Sequence, residues 1–404
     1  MIKLTSPIAV VVLAAMVAMG PLATSMYLPA FPAMAETFGV GADEIQLTLS
    51  AYMIGLAIAQ LLCGPLADRF GRKPLLLTGM ALFCLGSVGC MFADSIDMLF
   101  GYRFLQAFGA ASGMVLAQAM IRDTFAPVDA SKKLAYMGST TAIAPALAPV
   151  AGGALLVAFG WPSIFLALAL YAALTLAVVS VGLPESLPRE RRQTLHPRTV
   201  AGNYLTAIGN RTFLAHALAV SLMFAGHYGF MSGAPFVLIE LFDVTEARFG
   251  WYFLLVVAAF ITGNLLGARL TKRVSGHRLI TTGGCLLIVA GSLQVGFVLN
   301  GTDAVAAIIG PQLVYAVGSG MMMPQLIAGA LAPFHHMAGT AASMLGFIQM
   351  GSAAATSALV GRLYDGTALP MVMVIALAGS SALVVYRLLA DRRGLSEAAN
   401  TPGG

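Results

Sequence analysis

Four charged side chains separate two long apolar stretches near the start of the chain. Asp68, Arg69, Arg72 and Lys73 lie within residues 64–74, which read Gly-Pro-Leu-Ala-Asp-Arg-Phe-Gly-Arg-Lys-Pro. The Asp68 carboxylate can accept hydrogen bonds or cap a helix end. The three basic residues could serve only to orient the chain, but orientation does not explain Asp68. The run therefore predicts a charged turn in which Asp68 has a role beyond orientation.

Two glycines and a distant carboxylate complete this predicted turn. Gly64 and Gly71 permit tight turns and a close approach of helices. Arg72 is expected to bridge to Asp123, which follows a later apolar stretch. Breaking such contacts would release the elements that they join.

Three further ionisable residues lie in or beside apolar stretches: Arg103, His227 and Glu240. Arginine keeps its charge, so Arg103 should face a helix bundle and bond to backbone carbonyls or to Gln106, or else contact a substrate. Histidine titrates near neutrality. His227 is therefore either a proton carrier or a neutral ring that is hydrogen-bonded between helices. Glu240 is a second candidate for proton coupling, expected at the outer edge of its helix.

The composition defines the elements that must position these side chains. Hydrophobic residues make up 59% of the 404 residues and charged residues only 10%, with a mean hydropathy of +0.87. Soluble domains carry about 25% charged residues. A membrane span needs about 20 apolar residues, and hydrocarbon allows only internally paired backbone. We predict an all-α membrane protein with twelve transmembrane helices.

The basic residues alternate between loops and thereby orient the chain. All of the 22 lysines and arginines except Arg103, Arg248 and Arg362 fall in or beside the segments predicted to be cytoplasmic. This positive-inside pattern predicts that both termini are cytoplasmic. The net charge of +5 is spread over several loops rather than one face, so it does not indicate a nucleic-acid partner.

One polar and basic segment divides the chain into two halves of six spans. We predict an N-terminal six-helix bundle over residues 1–183 and a cytoplasmic linker over 184–210. A C-terminal six-helix bundle over 211–390 and a cytoplasmic tail over 391–404 follow. A degenerate copy of the charged run begins at Gly267, with Thr271 in the position of the aspartate.

Several other classes of function are not indicated. The chain has no phosphate-binding Gly-Lys-Ser/Thr loop, which argues against ATP as the driving force. Its loops contain no nucleophile–base constellation, so we predict that it is not an enzyme. The four cysteines lie inside predicted spans without the spacing of a metal site, and no metal or cofactor is expected.

The charged run resembles the signature loop of the major facilitator superfamily of secondary transporters. Residues 103–110 resemble its fourth-helix arginine motif, and residues 144–153 resemble its fifth-helix antiporter motif, although Ala148 replaces a usual glycine. Further segments are similar to the bicyclomycin-resistance (Bcr/CflA) branch of drug/proton antiporters, namely Met26–Pro32, Ser232–Phe236 and Ala338–Ser343.

The resemblance implies a fold of two six-helix bundles and a drug exporter of the bacterial inner membrane. Such transporters expose a central pocket alternately to either side. The charged turn is therefore expected to act as a cytoplasmic gate that latches the two bundles together in the outward-facing state, so that breaking its contacts favours opening inward. The bend-promoting residues of the antiporter motif are either a seal against leakage or a purely architectural kink. They are Pro145, Pro149, Gly152 and Gly153.

One departure from that branch leaves the coupling open. Its members commonly carry an aspartate directly before Met-Tyr-Leu-Pro, where this chain has Ser25. The first hypothesis is a proton-coupled drug exporter, and the second is a metabolite exporter or an uncoupled facilitator. A channel or receptor is a third, less favoured by the linker and the charged run. Because Arg103 remains while the anion is missing, we expect neutral or anionic cargo and poor transport of lipophilic cations.

Polar residues within the predicted spans are candidates for the wall of the substrate cavity. They are Thr24, Ser25, Tyr27, Arg103, Gln106, His227, Tyr228, Gln325 and Gln349. The expected partners are a small-molecule substrate, protons and the lipid bilayer, and the expected oligomeric state is a monomer. The sequence does not name the cargo.

Overall fold

The computed structural model describes residues 3–192, 197–302, 304–334 and 337–390, and every regular element among them is a helix. The chain forms two compact units. Residues up to 200 together with 244–254 form the first, and residues 201–243 together with those from 255 onward form the second. The predicted tail, 391–404, lies outside the described residues.

The first unit contains seven helices. They are α1 (Pro7–Ser25), α2 (Phe31–Phe38), α3 (Ala42–Phe70), α4 (Arg72–Met91), α5 (Ile96–Thr124), α6 (Pro127–Phe159) and α7 (Pro162–Gly182). Helix α5 packs against α1, α3 and α4, and helix α1 also packs against α6 and α7. The polar residues of α5 are therefore surrounded by other helices.

The first apolar path is not one continuous helix. Helix α1 ends at Ser25, a 3-10 turn follows at Leu28–Ala30, and α2 continues the path to Phe38. Proline interrupts regular helical hydrogen bonding because it lacks an N–H group. Gly39 ends α2 with a φ of 65°, a left-handed conformation that favours glycine.

The second unit holds α8 (Pro197–Gly209), whose first residues belong to the first unit, and six long helices. These are α9 (Arg211–Pro235), α10 (Glu246–Leu270), α11 (Gly276–Leu299), α12 (Val305–Leu331), α13 (Ala338–Leu363) and α14 (Leu369–Leu389). Helix α9 packs against α12, α13 and α14, and α11 packs against α12 and α14. The first turns of α10, up to residue 254, belong to the first unit.

Length and apolarity identify the membrane-crossing helices. Eleven spans among the described residues are long and apolar enough to cross a bilayer, counting α1 and α2 together as Pro7–Phe38. Helix α6 is 33 residues long, with its apolar part at Ile143–Phe159. With α6 included, each unit contributes six spans, as expected for a fold of two six-helix bundles.

The segment that we predicted to be a polar linker contains a helix. Helix α8 lies within residues 184–210, for which the sequence indicated only a polar and basic linker. Its Ala207 is fully buried. Burial raises the pKa of the Tyr204 hydroxyl, while a hydrogen bond with Ser343 of α13 opposes that rise. Part of the segment therefore packs against the second unit.

Candidate functional site

The first unit buries a guanidinium group completely. Arg103 on α5 has no exposed surface, and it is the only charged residue among the described buried side chains. Its Nη1 donates to the Ala23 carbonyl of α1 at 3.0 Å and to Gln106 Oε1 at 2.6 Å. The predicted contact between Arg103 and Gln106 is thus present, and the helix α1 backbone supplies the second acceptor.

Two tyrosine rings enclose this guanidinium. The Arg103 Cζ atom lies 4.0 Å from the ring centroid of Tyr27 and 4.3 Å from that of Tyr52 on α3. An aromatic face attracts a cation through its quadrupole, and the attraction grows when water is excluded. The Tyr27 hydroxyl lies 3.5 Å from Thr48 Oγ1, and the Tyr52 hydroxyl donates to the Gly20 carbonyl at 3.4 Å. These bonds orient both rings.

A chain of hydrogen bonds holds the neutral partner of the arginine. Gln106 Nε2 donates to Ser87 Oγ of α4 at 2.7 Å, and Ser87 Oγ donates to the Phe83 carbonyl at 2.7 Å. Gln106 therefore presents its oxygen to Arg103 in a single orientation. Ser87 and Phe83 carried no sequence signal that we recognised, because a small polar residue inside a span usually bonds to its own helix.

The guanidinium keeps hydrogen-bonding capacity for another group. The buried Nε and Nη2 atoms of Arg103 have no hydrogen-bond partner in the protein. In the part of the chain that the structure describes, none of the ion pairs includes Arg103. A buried charge without a counter-ion is costly. The site can therefore accept an anion, a carbonyl oxygen or another electron-rich group.

The remaining cavity candidates of the first unit lie at the end of α1. Thr24 and Ser25 are both buried, and Ser25 is the last residue of the helix. Thr24 Oγ1 donates to the carbonyls of Gly20 and Pro21, at 3.2 and 2.9 Å. Thr24 therefore satisfies its hydroxyl within its own helix.

The cavity candidates of the second unit lie on different helices and have different surroundings. His227 on α9 is half-buried, with its ring 6.4 Å from that of Phe260 on α10, and its buried Nδ1 has no hydrogen-bond partner. Tyr228 stacks on Phe224 at 6.0 Å. Gln349 is buried in the middle of α13, and its Nε2 is likewise unpaired.

Two other candidates of the second unit lie near helix ends. Gln325 lies beside Gly276, the first residue of α11. A Cβ added at Gly276 would lie 3.1 Å from the Gln325 Oε1 atom. Glu240 is exposed in a π-helical turn at Phe236–Leu241. Burial, and then the charges of Glu240 and Asp365, raise the pKa of Tyr364. These positions agree with the outer-edge location expected for Glu240.

The charged turn, residues 68–73, is more compact than the sequence suggested. Helix α3 continues to Phe70 and α4 begins at Arg72, so only Gly71, with a φ of 103°, lies between them. Gly64 is inside α3, and an added Cβ would meet nothing within 4 Å. The prediction of a turn or close approach at Gly64 was wrong, because the helix continues through Pro65.

The predicted ion pair between Arg72 and Asp123 is present, and Arg72 also pairs with Asp68. Arg72 Nη1 lies 2.7 Å from Asp68 Oδ1, and Arg72 Nε donates to Asp123 Oδ2 at 3.1 Å. Lys73 Nζ donates to the Ser180 carbonyl at 2.9 Å. The Arg69 guanidinium lies 5.2 Å from the ring centroid of Phe70. All these residues belong to the first unit, so the ion pairs join α3, α4 and α5 within it and do not themselves form the expected latch between the two bundles.

A carboxylate that sequence reasoning missed caps α4. Glu185 Oε1 accepts from the Arg72 N–H at 3.0 Å, and Oε2 accepts from the Lys73 N–H at 3.2 Å. A carboxylate at a helix N-terminus satisfies unpaired N–H groups and complements the helix dipole. Oε1 also accepts from Ser186 and Leu187 of its own segment. Only the spatial proximity of residues about 110 positions apart reveals this cap.

The glycines of α6 allow backbones to approach closely. A Cβ at Gly152 would overlap the Met26 carbonyl oxygen, and one at Gly153 would lie 2.7 Å from the Glu246 carbonyl. One at Gly250 of α10 would lie 2.6 Å from the Cα of Val150. Helix α6 continues through Pro145 and Pro149. Small residues are what such close packing of membrane helices requires.

The comparison with protein families identifies the chain. The family model described as Major Facilitator Superfamily matches residues 13–357. The chain belongs to the major facilitator superfamily. It is therefore a transporter rather than an enzyme, and its long apolar helices make it a multi-pass membrane protein.

Named relatives of this facilitator support the bicyclomycin-resistance branch. An uncharacterized MFS-type transporter of Bacillus subtilis, YdgK, is 32% identical over 93% of this chain and 94% of the relative. The bicyclomycin resistance protein homolog of Haemophilus influenzae is 29% identical over 92% and 93%. The multidrug resistance protein MdtL of Escherichia coli is 30% identical over 83% and 84%.

Solved structures agree on the fold of this facilitator. A bacterial homolog of the human lysosomal transporter Spinster, in an inward-facing and occupied conformation, superposes with a TM-score of 0.78. The comparison covers 99% of this chain and 100% of that one, at 16% identity. The xylose transporter XylE of Escherichia coli gives a TM-score of 0.74 at 13% identity, over 95% and 97%.

Proposed function

We propose that this facilitator is a secondary active exporter of small amphipathic drugs, coupled to protons. The observation that carries the proposal is the desolvated guanidinium of Arg103, whose Nε and Nη2 groups have no protein acceptor. A ligand that supplies an electron-rich group would complete this site. The relatives named for bicyclomycin resistance and multidrug resistance support drugs as the cargo.

The charge of this site favours neutral or anionic cargo. The nearest partners of Arg103 are a backbone carbonyl, an amide and two aromatic rings, and none of them neutralises it. A lipophilic cation would meet this buried positive charge at low dielectric and be repelled. An anion or a carbonyl dipole would be attracted.

His227 is the favoured proton carrier. Among the buried residues that the structure describes there is no carboxylate, and Glu240 is exposed. His227 lies inside a span, its Nδ1 is unpaired, and no described ion pair includes it. Each proton moved down 100 mV supplies about 2.3 kcal/mol. That would sustain roughly a fiftyfold gradient of cargo.

Ser25 favours a second candidate function. It is buried at the end of α1, where the branch commonly has an aspartate, and it cannot carry a proton at physiological pH. A chain without that carboxylate could operate as a metabolite exporter or an uncoupled facilitator. Both candidate functions use alternating access, so dependence on a pH gradient separates them.

The proposal includes the orientation of the chain in the membrane and the role of the charged turn as a cytoplasmic gate. Both termini are cytoplasmic in the bacterial inner membrane, and the charged turn steadies the cytoplasmic end of the first bundle during rocking. Its ion pairs, Asp68–Arg72 and Arg72–Asp123, support this role. The tight packing of α6 at Gly152 and Gly153 supports a seal against leakage. The chain is expected to act as a monomer.

A drug-susceptibility panel followed by transport in proteoliposomes tests the proposal. Cells that express the chain should resist neutral and anionic compounds, whereas resistance to quaternary cations should not change. In proteoliposomes, transport of a compound identified by the panel should follow an imposed pH gradient, and His227→Ala should abolish that dependence. His216→Ala is the matched control, since His216 Nδ1 already bonds to the Thr212 carbonyl at 2.8 Å. Strong export of quaternary cations, or indifference to the gradient, would contradict the proposal.

A further inference from the structure

Three helices of the second unit carry unpaired polar atoms near their middles. Ser221 on α9, Ser319 on α12 and Gln349 on α13 are 2%, 2% and 8% exposed. The Oγ atoms of both serines and Nε2 of Gln349 are buried without a hydrogen-bond partner in the protein. Burying a polar group without a partner destabilises a fold, and lipid offers no replacement. Such atoms in mid-span indicate a place for a ligand.

The side chain of Ser352 on α13 joins two of these residues, Ser221 and Gln349. Ser352 Oγ lies 3.0 Å from the Ser221 carbonyl oxygen and 2.8 Å from the Gln349 carbonyl oxygen. Two acceptors within reach of one hydroxyl place Ser221 and Gln349 side by side where α9 meets α13. The hydroxyl of Ser352 is thereby satisfied and serves the packing of the helices.

Ser221 differs from most buried hydroxyls of this protein. A serine or threonine inside a helix usually donates to a carbonyl three or four residues earlier. Ser87, Ser112 and Thr48 do so at 2.7, 2.7 and 2.6 Å. Ser221 makes no such bond, so its hydroxyl remains available to a group that is not part of the protein.

We propose that Ser221 and Gln349 form a hydrogen-bonding subsite for an uncharged carbonyl oxygen of the cargo. Gln349 Nε2 carries two N–H donors and no acceptor, and Ser221 Oγ can donate its hydrogen. Two unpaired donors on neighbouring helices match in number the two lone pairs of one carbonyl oxygen. This subsite deepens the proposed function and depends on it, because it describes which cargo that exporter selects.

The surroundings favour a neutral oxygen over a carboxylate. Within the described part of the second unit, no buried residue is charged, whereas the first unit buries Arg103. Moving a carboxylate into an uncharged interior costs far more than moving an amide or ketone. An anionic cargo group would therefore bind at Arg103, and a neutral carbonyl would bind at Ser221 and Gln349.

Thermal unfolding of the purified full chain separates a ligand subsite from a structural role. Ser221→Ala and Gln349→Met remove unpaired groups, so the unfolding temperature should stay the same or rise. Two paired side chains are the controls. Ser352→Ala, and Gln294→Met, whose Nε2 donates to the Ile308 carbonyl at 3.0 Å, should each lower it by about 2–4 °C. An equal fall in all four variants would overturn the proposal.

A probe with a neutral carbonyl tests the ligand directly. Chloramphenicol, an uncharged amide, should raise the unfolding temperature of the unmodified chain, and Ser221→Ala or Gln349→Met should weaken its apparent affinity about tenfold. Tetraphenylphosphonium has no acceptor, so any effect that it has should be the same in both variants. Absence of a chloramphenicol effect on the unmodified chain, or an unchanged affinity in the variants, would overturn the subsite.

This result is distinguishable from a failure of the proposed function. If transport ignores the pH gradient but the variants still lose chloramphenicol affinity, the subsite stands and the proton coupling fails. If gradient-driven export needs Arg103 while Ser221→Ala and Gln349→Met leave every affinity unchanged, the exporter stands and the subsite fails. If water rather than cargo occupies the site at Ser221 and Gln349, both variants should bind chloramphenicol with unchanged affinity.

Discussion

Two buried polar clusters, one around Arg103 in the first unit and one around Ser221 in the second, differ in how their neutral side chains are satisfied. In the first, Arg103, Gln106 and Ser87 form a continuous hydrogen-bonded chain from α1 through α5 to α4. In the second, Ser221 and Gln349 lie side by side, yet their side-chain donors have no protein partner. The first unit thus fixes a charge in place, and the second leaves neutral donors available.

The contrast suggests a division of labour in recognition. A fixed cation provides attraction that depends on charge but tolerates many shapes, since electrostatic attraction is not strongly directional. A neutral donor binds an acceptor well only at the right distance and angle, because hydrogen bonds are directional. A facilitator with both could bind diverse compounds at the first site and discriminate among them at the second.

The charged run and its degenerate copy also differ between the units: the first makes an ion pair, and the second makes only a local hydrogen bond. In the first unit Asp68 pairs with Arg72 at 2.7 Å. In the second, Thr271 occupies the aspartate position, and its hydroxyl donates to the Ala268 carbonyl in the last turn of α10 at 2.7 Å. The first copy therefore ties helices together, whereas the second ends a helix.

The largest expected effect comes from removing the fixed cation. Arg103→Leu should reduce export by about a hundredfold or more, because a ligand would lose charged hydrogen bonds worth about 1.5–3 kcal/mol each. Initial rates in proteoliposomes measure this loss. Arg103→Lys keeps the charge without the planar group and should retain part of the activity. Full export by Arg103→Leu would show that the Arg103 guanidinium does not contribute to cargo binding.

Matched substitution of two buried amides sharpens the comparison. Gln106→Met should lower stability by about 1–3 kcal/mol, because it removes the buried hydrogen bonds that Gln106 makes with Arg103 and Ser87. Gln349→Met should cost nothing, since its Nε2 is already unpaired. Denaturation of the two purified variants in the same detergent measures the difference. Equal losses would show that the units do not differ in this way.

The cap on α4 gives a smaller effect. Glu185→Gln keeps the shape but removes the charge that receives the Arg72 and Lys73 N–H groups, and it should cost about 1 kcal/mol. Glu190→Gln, at an exposed position of the same segment, should change nothing. Thermal unfolding compares the two variants. Indistinguishable values would mean that the cap contributes no stability.

The smallest effect on stability is expected at Asp68. Its side chain is 41% exposed, so Asp68→Asn should cost less than about 1 kcal/mol. Transport should nevertheless fall if the charged turn acts as a gate. Comparing unfolding temperature with transport rate in one variant separates the two roles. Unaltered transport would leave the ion pair as a surface contact only.

Much of the fold could be predicted from the sequence because lipid imposes strong rules. Apolar runs of span length must become helices, which made the helical class and the division into six and six predictable. The break in the first span could not be predicted in this way, because an apolar run does not show that a 3-10 turn separates α1 from α2. Helix α8 was missed because its short, mixed sequence gave no span-length signal.

Less of the candidate site could be predicted. The Arg103–Gln106 contact was foreseeable, because residues three apart on a helix are neighbours. Arg72–Asp123 was foreseeable from opposite charges at the ends of adjacent spans. The Glu185 cap and the Ser352 bridge were not, because each joins residues about 110–130 positions apart. Nothing in a local pattern encodes such distances.

The sequence by itself determined that this chain is a bundle of membrane helices with a positive-inside charge pattern and a facilitator signature. These properties depend on the composition of each segment and on what hydrocarbon excludes. Only the tertiary structure decided that Arg103 lies between two tyrosine rings, and that Ser221 and Gln349 meet with their donors unpaired. Those relations depend on how different helices pack, because the direction of each side chain is set only when its neighbours are in place.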